Sequence, residues 1–238
     1  MPNFPFQRLQ ADLAQLIERT PAGQRLPSEP DLAKQLGVSR ATLRDAMRTF
    51  ETQGMVRRRQ GSGTFVVGRS QVLDTGLEVL ESLETMANRL GLAISVSNLS
   101  VEKVTADENT AENLNLAIGA PLLRVRRVVR TDDRPVAYLV DVLPEDVLDM
   151  DDLPADFRGS VLDTLLQRGD ALTVSRADIS ATNAVAEVAK ALEIQRGDVL
   201  LQLVARLYSG DGRVLDYSTS YFIPGYFHFH VVRRVGSA

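Results

Sequence analysis

The chain has 238 residues, with 27 Lys and Arg against 31 Asp and Glu for a formal net charge of −4, and it has no cysteine. The lack of cysteine excludes a disulfide framework, a thiolate metal site and a cysteine nucleophile, and it favours a reducing cytoplasm. No apolar run approaches the roughly 20 residues that cross a bilayer, and the N-terminus lacks a signal-peptide pattern, so we expect no membrane partner.

The charge is unevenly distributed along the chain. Residues 1–68 contain ten Lys and Arg and six Asp and Glu, a balance of +4, whereas residues 69–238 contain seventeen and twenty-five, a balance of −8. Phosphate contacts depend on local positive charge, so a basic N-terminal part on an acidic remainder is typical of a protein whose first domain binds nucleic acid. We expect domains at 1–68 and 76–238, with a linker at 69–75.

The first 52 residues predict three helices. A helix is expected over residues 6–18, where Leu9, Leu13, Leu16 and Ile17 share one face. Ser28 can cap a second short helix that Gly37 ends, and Ser39 can cap a third. Two short helices joined by a tight turn are typical of a helix-turn-helix.

The third helix carries arginines on a face that has nothing apolar to bury. Arg40, Arg44 and Arg48 lie four residues apart, opposite an apolar stripe formed by Leu43, Ala46, Met47 and Phe50. This spacing predicts a recognition helix, and all three arginines are candidate DNA-binding residues. The alternative is an ordinary solvated face on which Asp45 or Glu51 pairs with the arginines locally.

A basic hairpin is predicted directly after this helix. Gly54 ends the helix, residues 55–59 and 64–67 are expected to form two strands, and residues 60–63 are Gln-Gly-Ser-Gly. A basic hairpin after a helix-turn-helix is typical of a wing. Gly61 and Gly63 let the backbone approach a sugar-phosphate edge, or they simply allow a tight turn.

Residues 6–67 resemble the winged helix-turn-helix of GntR-family bacterial transcription regulators. The resemblance rests on Leu-Pro-Ser-Glu at 26–29, Gly-Val-Ser-Arg at 37–40, Leu43 with Arg44, and Gly-Ser-Gly-Thr-Phe-Val at 61–66. It implies binding to double-stranded operator DNA through Ser39, Arg40, Thr42 and Arg44 of the recognition helix and through Gln60, Gly61 and Gly63 of the wing. Pro30 stands where some family members have a DNA-contacting arginine.

The C-terminal part begins with a predicted amphipathic helix from Leu77 to Leu90 and then repeats itself. Residues 112–119 and 122–127 parallel residues 190–197 and 200–206 at an offset of 78 residues, which becomes 79 at Arg127 and Arg206. Each copy reads as helix, strand, turn and strand. Unless the similarity is due to chance, the two copies predict an α+β fold with one antiparallel sheet, flanking helices and a cavity where the halves meet.

This second half resembles the UTRA domain, the effector-binding module of the HutC subfamily, whose fold is similar to that of chorismate lyase. The motifs are Arg127, Asp-Asp-Arg-Pro-Val at 132–136, Pro144, Ser160, Tyr-Ser-Thr-Ser-Tyr at 217–221 and Phe-His-Phe at 227–229. The resemblance implies effector binding by Arg127, Ser160 and Asp216, with Asp141 as a further carboxylate. Val129 replaces the second arginine of the family's phosphate clamp, which favours a less charged or more apolar ligand.

Each effector residue also has a purely structural interpretation. Arg127 can pair with Asp141 or Asp216 inside the domain, Ser160 can be only a helix cap, and Asp216 can be an ordinary edge-strand residue. His228 and His230 share one face of a predicted strand but show no third ligand, so we expect no metal and no cofactor.

The expected function is that of a bacterial transcription regulator, a repressor controlled by a small metabolite and acting as a homodimer on two half-sites. No catalytic motif is present, so the chain is not expected to be an enzyme. The alternatives are an activator or dual regulator, a lyase-like activity of the second domain, and architectural DNA binding without an effector.

Overall fold

The computed structural model describes residues 4–21, 23–52, 55–59, 62–66 and 73–233. The chain divides into two compact units, Met1–Asp74 with Ile223–His228, and Thr75–Phe222 with Phe229–Ala238. The predicted linker lies mostly outside the described residues. No helix among those described is long and apolar enough to span a membrane.

The first unit contains the predicted winged helix-turn-helix. Its elements are α1 (Phe4–Arg19), α2 (Glu29–Gln35), α3 (Arg40–Thr52), β1 (Val56–Arg59) and β2 (Gly63–Val66). Both predicted caps form, because the Asp31 amide donates to Ser28 Oγ at 3.4 Å and the Thr42 amide donates to Ser39 Oγ at 3.1 Å. Leucines from all three helices fill the core, among them Leu13, Leu32 and Leu43.

The second unit is built on a six-stranded antiparallel sheet in the order β4-β5-β6-β9-β8-β7. Its strands are β4 (Ser95–Thr105), β5 (Pro121–Thr131), β6 (Arg134–Pro144), β7 (Leu172–Asn183), β8 (Val199–Ser209) and β9 (Val214–Phe222). Its helices are α4 (Leu83–Arg89), α5 (Glu108–Leu114), α6 (Val161–Arg168) and α7 (Ala186–Ala191), with a 3-10 turn at Met150–Asp152. The α+β architecture is therefore confirmed. A separate two-stranded sheet pairs β3 (Leu73–Gly76) with β10 (Phe227–His230).

The internal repeat is visible as two copies of the same unit, since α5-β5-β6 and α7-β8-β9 have the same order. The two copies differ at their arginines. Arg127 lies on the sheet face that carries Leu123 and Val125, which pack with α6, whereas Arg206 contacts Asn113 of α5 on the opposite face. One extra residue in the second copy reverses the face because side chains alternate along a strand.

The helix predicted from Leu77 to Leu90 is too long. Helix α4 begins only at Leu83, because Ser82 Oγ accepts a hydrogen bond from the Thr85 amide at 3.0 Å and so caps the helix there. The Leu77 amide instead donates to the carbonyl of His230 at 3.0 Å, and Leu80 is 49% exposed. The apolar residues at 77–80 therefore belong to an irregular segment with bends, and not to a helix.

Asp216 does not lie on an edge strand. Strand β9 pairs with β6 on one side and with β8 on the other, so Asp216 lies in the interior of the sheet. The two edges of the sheet are β4 and β7. At this interior position the Asp216 carboxyl is buried by the surrounding protein.

Candidate DNA-binding surface and candidate effector site

Helix α3 presents its predicted arginines outward and its apolar stripe inward. Arg40 and Arg44 are exposed and Arg48 is half-buried, whereas Leu43 and Ala46 are fully buried. At the start of the helix, the hydroxyls of Ser39 and Thr42 lie 2.8 Å apart. The predicted recognition residues thus form one polar surface along α3.

Glu29 contacts two arginines of this surface, and the sequence alone did not single it out. Arg44 Nε donates to Glu29 Oε2 at 2.8 Å, and Arg58 of β1 pairs with Glu29 Oε1. Burial raises the pKa of the Glu29 carboxyl, but the hydrogen bond from Arg44 and the charges of Arg58 and Arg40 outweigh it, so the pKa lies below its ordinary value. One carboxylate therefore links helix α2, helix α3 and the wing.

The wing is a regular antiparallel hairpin in which Arg57 faces Phe65 and Arg58 faces Thr64. Gly63 has a φ of +107°, and an added Cβ there would collide with the Arg25 guanidinium. The amide of Leu26 also donates to the carbonyl of Thr64 at 2.8 Å, which attaches the hairpin to the chain before α2. The predicted contacts Gln60 and Gly61 lie outside the described residues.

The second unit buries a cluster of ionisable side chains on one face of its sheet. Arg127 of β5, Asp141 of β6 and Asp216 of β9 are diagonal neighbours on adjacent strands, and their exposed fractions are 6%, 9% and 6%. Arg127 Nη1 donates to Asp141 Oδ2. We call Arg127, Asp141, Asp216 and Glu84 the charged cluster. Its last member comes from α4, where Glu84 Oε1 lies 3.8 Å from Arg127 Nε.

Gly159 and Ser160 border the charged cluster at the start of α6. Gly159 has a φ of +103°, and an added Cβ would lie 2.5 Å from Arg127 Cδ, so only glycine lets Arg127 lie there. Ser160 Oγ accepts a hydrogen bond from the Asp163 amide at 3.3 Å and caps α6. The structure thus places all four predicted effector residues in one neighbourhood and adds Glu84, which sequence reasoning missed.

The protonation of the charged cluster is strongly perturbed. Burial, reinforced by the neighbouring Asp141 carboxylate, raises the pKa of Asp216 well above its ordinary value. Burial also raises the pKa of Glu84, although the charge of Arg127 opposes this. Burial lowers the pKa of Arg127, but Asp141 and Glu84 more than compensate and hold the guanidinium charged.

Some polar atoms of the charged cluster lack a hydrogen-bond partner among the described residues. They are both carboxylate oxygens of Glu84, Asp216 Oδ1 and Arg127 Nε. The position of the missing second arginine is apolar and closed, since Val129 is 1% exposed. The cluster therefore offers three oxygen acceptors, one N–H donor and a single cation.

The histidines of β10 are both exposed. His228 Nδ1 lies 3.0 Å from Asp74 Oδ1, an exposed ion-pair geometry that the sequence did not reveal. This contact is at the surface and has no part in the sites described above.

A helix-turn-helix with a basic wing, together with a separate α+β unit that holds buried charges, defines a DNA-binding transcription regulator with a second, sensory domain. The chain matches the family model described as bacterial regulatory proteins, gntR family, over residues 6–66. It matches the UTRA domain over residues 89–228. The chain therefore belongs to the GntR family and carries a UTRA domain.

Individual relatives agree with this assignment. The chain is 31% identical over 231 residues to the HTH-type transcriptional regulator Rv0792c of Mycobacterium tuberculosis, covering 94% of this chain and 84% of the relative. It is 25% identical over 200 residues to the HTH-type transcriptional repressor NagR of Bacillus subtilis, covering 83% and 80%. The crystal structure of PhnF from Mycobacterium smegmatis matches with a TM-score of 0.66 at 25% identity, covering 96% of this chain and all of that one.

Proposed function

We propose that this chain is a repressor of the HutC subfamily whose affinity for operator DNA is controlled by a small metabolite bound at the charged cluster. The observation that carries the effector site is the burial of Arg127, Asp141 and Asp216 with polar atoms left unpartnered. A sheet interior is normally apolar, and unsatisfied buried polar groups are uncommon in native proteins. Such a cluster is a candidate ligand site.

Repression is supported by the names of relatives. NagR of Bacillus subtilis and PhnF of Mycolicibacterium smegmatis are both described as transcriptional repressors. PhnF is 32% identical to this chain over 141 residues, which cover 58% of this chain. We extend this sign of regulation to the present chain, which acts on DNA in the cytoplasm.

For the operator contacts, we propose two groups of residues. The surface of α3 is exposed, hydroxyl-rich at its start and basic along its length, which suits contacts to base edges and phosphates in the major groove. The wing extends this surface with further arginines. The proposed contacts are Ser39, Arg40, Thr42, Arg44 and Arg48 from α3, and Gln60, Gly61 and Gly63 from the wing.

The decisive experiment compares operator binding with and without added metabolites in the wild-type chain and in Arg127→Ala. A thermal-unfolding screen first finds ligands, because a ligand that binds only the folded chain raises its melting temperature by mass action. Wild-type affinity for an operator selected from random DNA is expected to change when a hit is added. Arg127→Ala is expected to bind the operator but to lose this response.

The opposite result has a clear structural meaning. If Arg127→Ala and Asp216→Asn both unfold the domain equally and no metabolite changes operator affinity in the wild-type chain, the charged cluster is an internal ion pair. The effector site would then lie elsewhere.

A further inference from the structure

The charged cluster has more carboxyl groups than cations. Its side chains supply one positive charge, from Arg127, against three carboxylates, from Asp141, Asp216 and Glu84. Asp163 adds a fourth carboxylate nearby, because its charge acts on Glu84 while its Oδ2 accepts a hydrogen bond from Ser82 at 2.7 Å. Within the described part of the chain, Arg127 is the one cation that pairs with Asp141 and Glu84.

The unpartnered atoms of the cluster are mostly acceptors. Glu84 contributes two oxygens and Asp216 contributes Oδ1, while Arg127 Nε is the one unpartnered donor. The side chains of Arg127 and Asp216 are both more than nine-tenths buried. Glu84 Oε1 and Arg127 Nε already form an ion pair at 3.8 Å without a hydrogen bond. Leaving a buried polar atom unpaired is unfavourable, so Glu84 Oε2 and Asp216 Oδ1 above all describe the ligand that would complete the site.

An anionic ligand fits this arrangement poorly. A phosphate group offers acceptors and cannot donate to the oxygens of Glu84 and Asp216, and its charge is repelled by the Asp141 carboxylate. Arg127 is already hydrogen bonded to Asp141, so a phosphate would compete with that carboxylate for the single guanidinium charge. The position from which a second arginine would help is occupied by buried Val129.

A protonated amine fits the same atoms well. An ammonium group has three donors and no acceptor, which matches the oxygens of Glu84 and Asp216. A neutral hydroxyl or carbonyl oxygen beside it would accept from Arg127 Nε. We infer that the effector is a small metabolite with a cationic amine next to a neutral oxygen, and not a phosphorylated compound; this inference rests on the proposed function of the charged cluster as the effector site.

This ligand class couples binding to proton release. Burial raises the pKa of both Glu84 and Asp216, and that of Asp216 most, so the protonated form of each carboxyl is favoured relative to a free side chain. The groups that face them are Arg127, Asp141 and Asp163. A bound ammonium favours the ionised carboxylates and lowers both pKa values, so protons leave as the amine binds. A phosphorylated ligand would favour proton uptake instead.

The test uses thermal unfolding and calorimetry of the full chain with matched probes at equal ionic strength. Each set contains an amine with a neighbouring hydroxyl or carbonyl, its neutral counterpart and its phosphorylated counterpart; glucosamine, glucose and glucose 6-phosphate form one set, and amino alcohols and amino acid amides form others. An amine is expected to raise the melting temperature while its counterparts do not. Titrations in buffers of different ionisation enthalpy are expected to show proton release.

Variants locate the binding. Glu84→Gln keeps the size of the side chain but removes its charge, and it is expected to weaken amine binding about tenfold or more. Asp216→Asn should do the same, so the result does not depend on one variant folding, and circular dichroism checks both. Asp146→Asn is the control, because Asp146 is an exposed carboxylate that pairs with Arg213 outside the cluster. Equal amine binding by Glu84→Gln, Asp216→Asn and the control would overturn the inference.

The remaining outcomes separate this inference from the proposed function. If a phosphorylated probe stabilises the chain and changes operator affinity, the inferred amine ligand class is wrong but the proposed function stands. If an amine binds at the cluster and no bound probe changes operator affinity, the ligand class stands and effector control of DNA binding fails. If no amine in the panel raises the melting temperature, the inference is wrong.

Discussion

A single carboxylate, that of Glu29, restrains two arginines of the proposed DNA-binding surface. Arg44 and Arg58 are both about half exposed, so each ion pair with Glu29 contributes little stability by itself. Its effect is geometric, because a guanidinium hydrogen bonded on one side presents its remaining N–H groups in a fixed direction. We therefore expect Glu29 to act as a positioning residue for operator recognition.

Glu29→Gln is expected to change DNA binding in two opposite directions. Affinity for random DNA should rise, because a negative charge leaves the DNA-facing surface. The preference for operator over random DNA should fall roughly three- to tenfold, since misplacing a base-contacting arginine costs about 1 kcal/mol. Titrations of both DNAs measure the ratio. Glu18→Gln, an exposed glutamate on α1, is the charge-matched control and should leave the ratio unchanged.

Asp216 makes stability depend on pH. Because burial raises the pKa of this carboxyl in the folded chain, its protonated form favours folding, and this contribution is complete below the unfolded pKa of about 4. It is lost as pH rises through the folded-state pKa. Asp216→Asn cannot ionise, so its free energy of unfolding should exceed that of the wild type by about 1–3 kcal/mol above that pKa.

Denaturant unfolding at a series of pH values measures this difference. The advantage of Asp216→Asn is expected to shrink steadily as the pH falls towards 4. A difference that is constant with pH, or a variant less stable than the wild type at neutral pH, would show that the Asp216 carboxylate is well accommodated and that the cluster is structural.

Contacts between residues that are close in sequence or at fixed strand spacing could be predicted, and contacts between distant residues could not. The caps Ser28 and Ser39 follow from local chemistry, because a serine before an apolar-periodic segment is a helix start. Glu84 was missed because its contact with Arg127 spans 43 residues and because its helix was expected to begin at Leu77. Likewise, the sequence indicates only local partners for Arg44, such as Asp45, whereas its partner in the structure is Glu29, 15 residues away.

At the scale of elements, the wing depends on the conformation of its glycine turn. Gly63→Val is expected to weaken DNA binding about tenfold or more, because valine is strained at a φ of +107° and its Cβ would displace Arg25. Effector binding should change little, since the charged cluster lies in the other unit. Electrophoretic mobility shift and thermal-shift assays measure the two activities separately.

Gly23→Val is the matched control for this prediction. Gly23 also has a positive φ, +77°, but an added Cβ meets nothing within 4 Å, so the variant isolates backbone strain from the collision with Arg25. Equal losses of DNA binding in both variants would mean that strain in this unit, and not the shape of the wing, is responsible. A simultaneous loss of effector binding would mean that Gly63→Val has a general folding defect.

The order of helices and strands could be predicted from the repeat, but the sheet face on which each arginine side chain lies was not predicted. The 78-residue offset predicted helix, strand, turn and strand twice, and both copies are present. The single extra residue before Arg206 reverses its side chain, so Arg127 and Arg206 contact different helices despite similar sequence surroundings. The change of the offset from 78 to 79 residues at these arginines marks the slip in the sequence, but its effect on the sheet face was not part of the sequence prediction.

For the whole molecule, the charge distribution and the winged unit together predict a homodimer on a two-part operator. One winged unit reads only a few base pairs, so two copies are needed for a specific site. Sedimentation with labelled operator should show two chains per DNA, and operator affinity should fall steeply with salt because the first 68 residues carry a balance of +4. One chain per operator at saturation would contradict this arrangement.

The opposite orientation of Arg206 has a consequence for the number of effector sites in each chain. A repeated scaffold could hold two equivalent sites, but here only the first copy turns its arginine towards buried carboxylates, while Arg206 is hydrogen bonded to the Asn113 amide. The two copies therefore share the same order of helices and strands, but the arginine of only one copy faces buried carboxylates. Each chain should take up one effector molecule, and any sigmoidal response to effector concentration must arise from communication between associated chains.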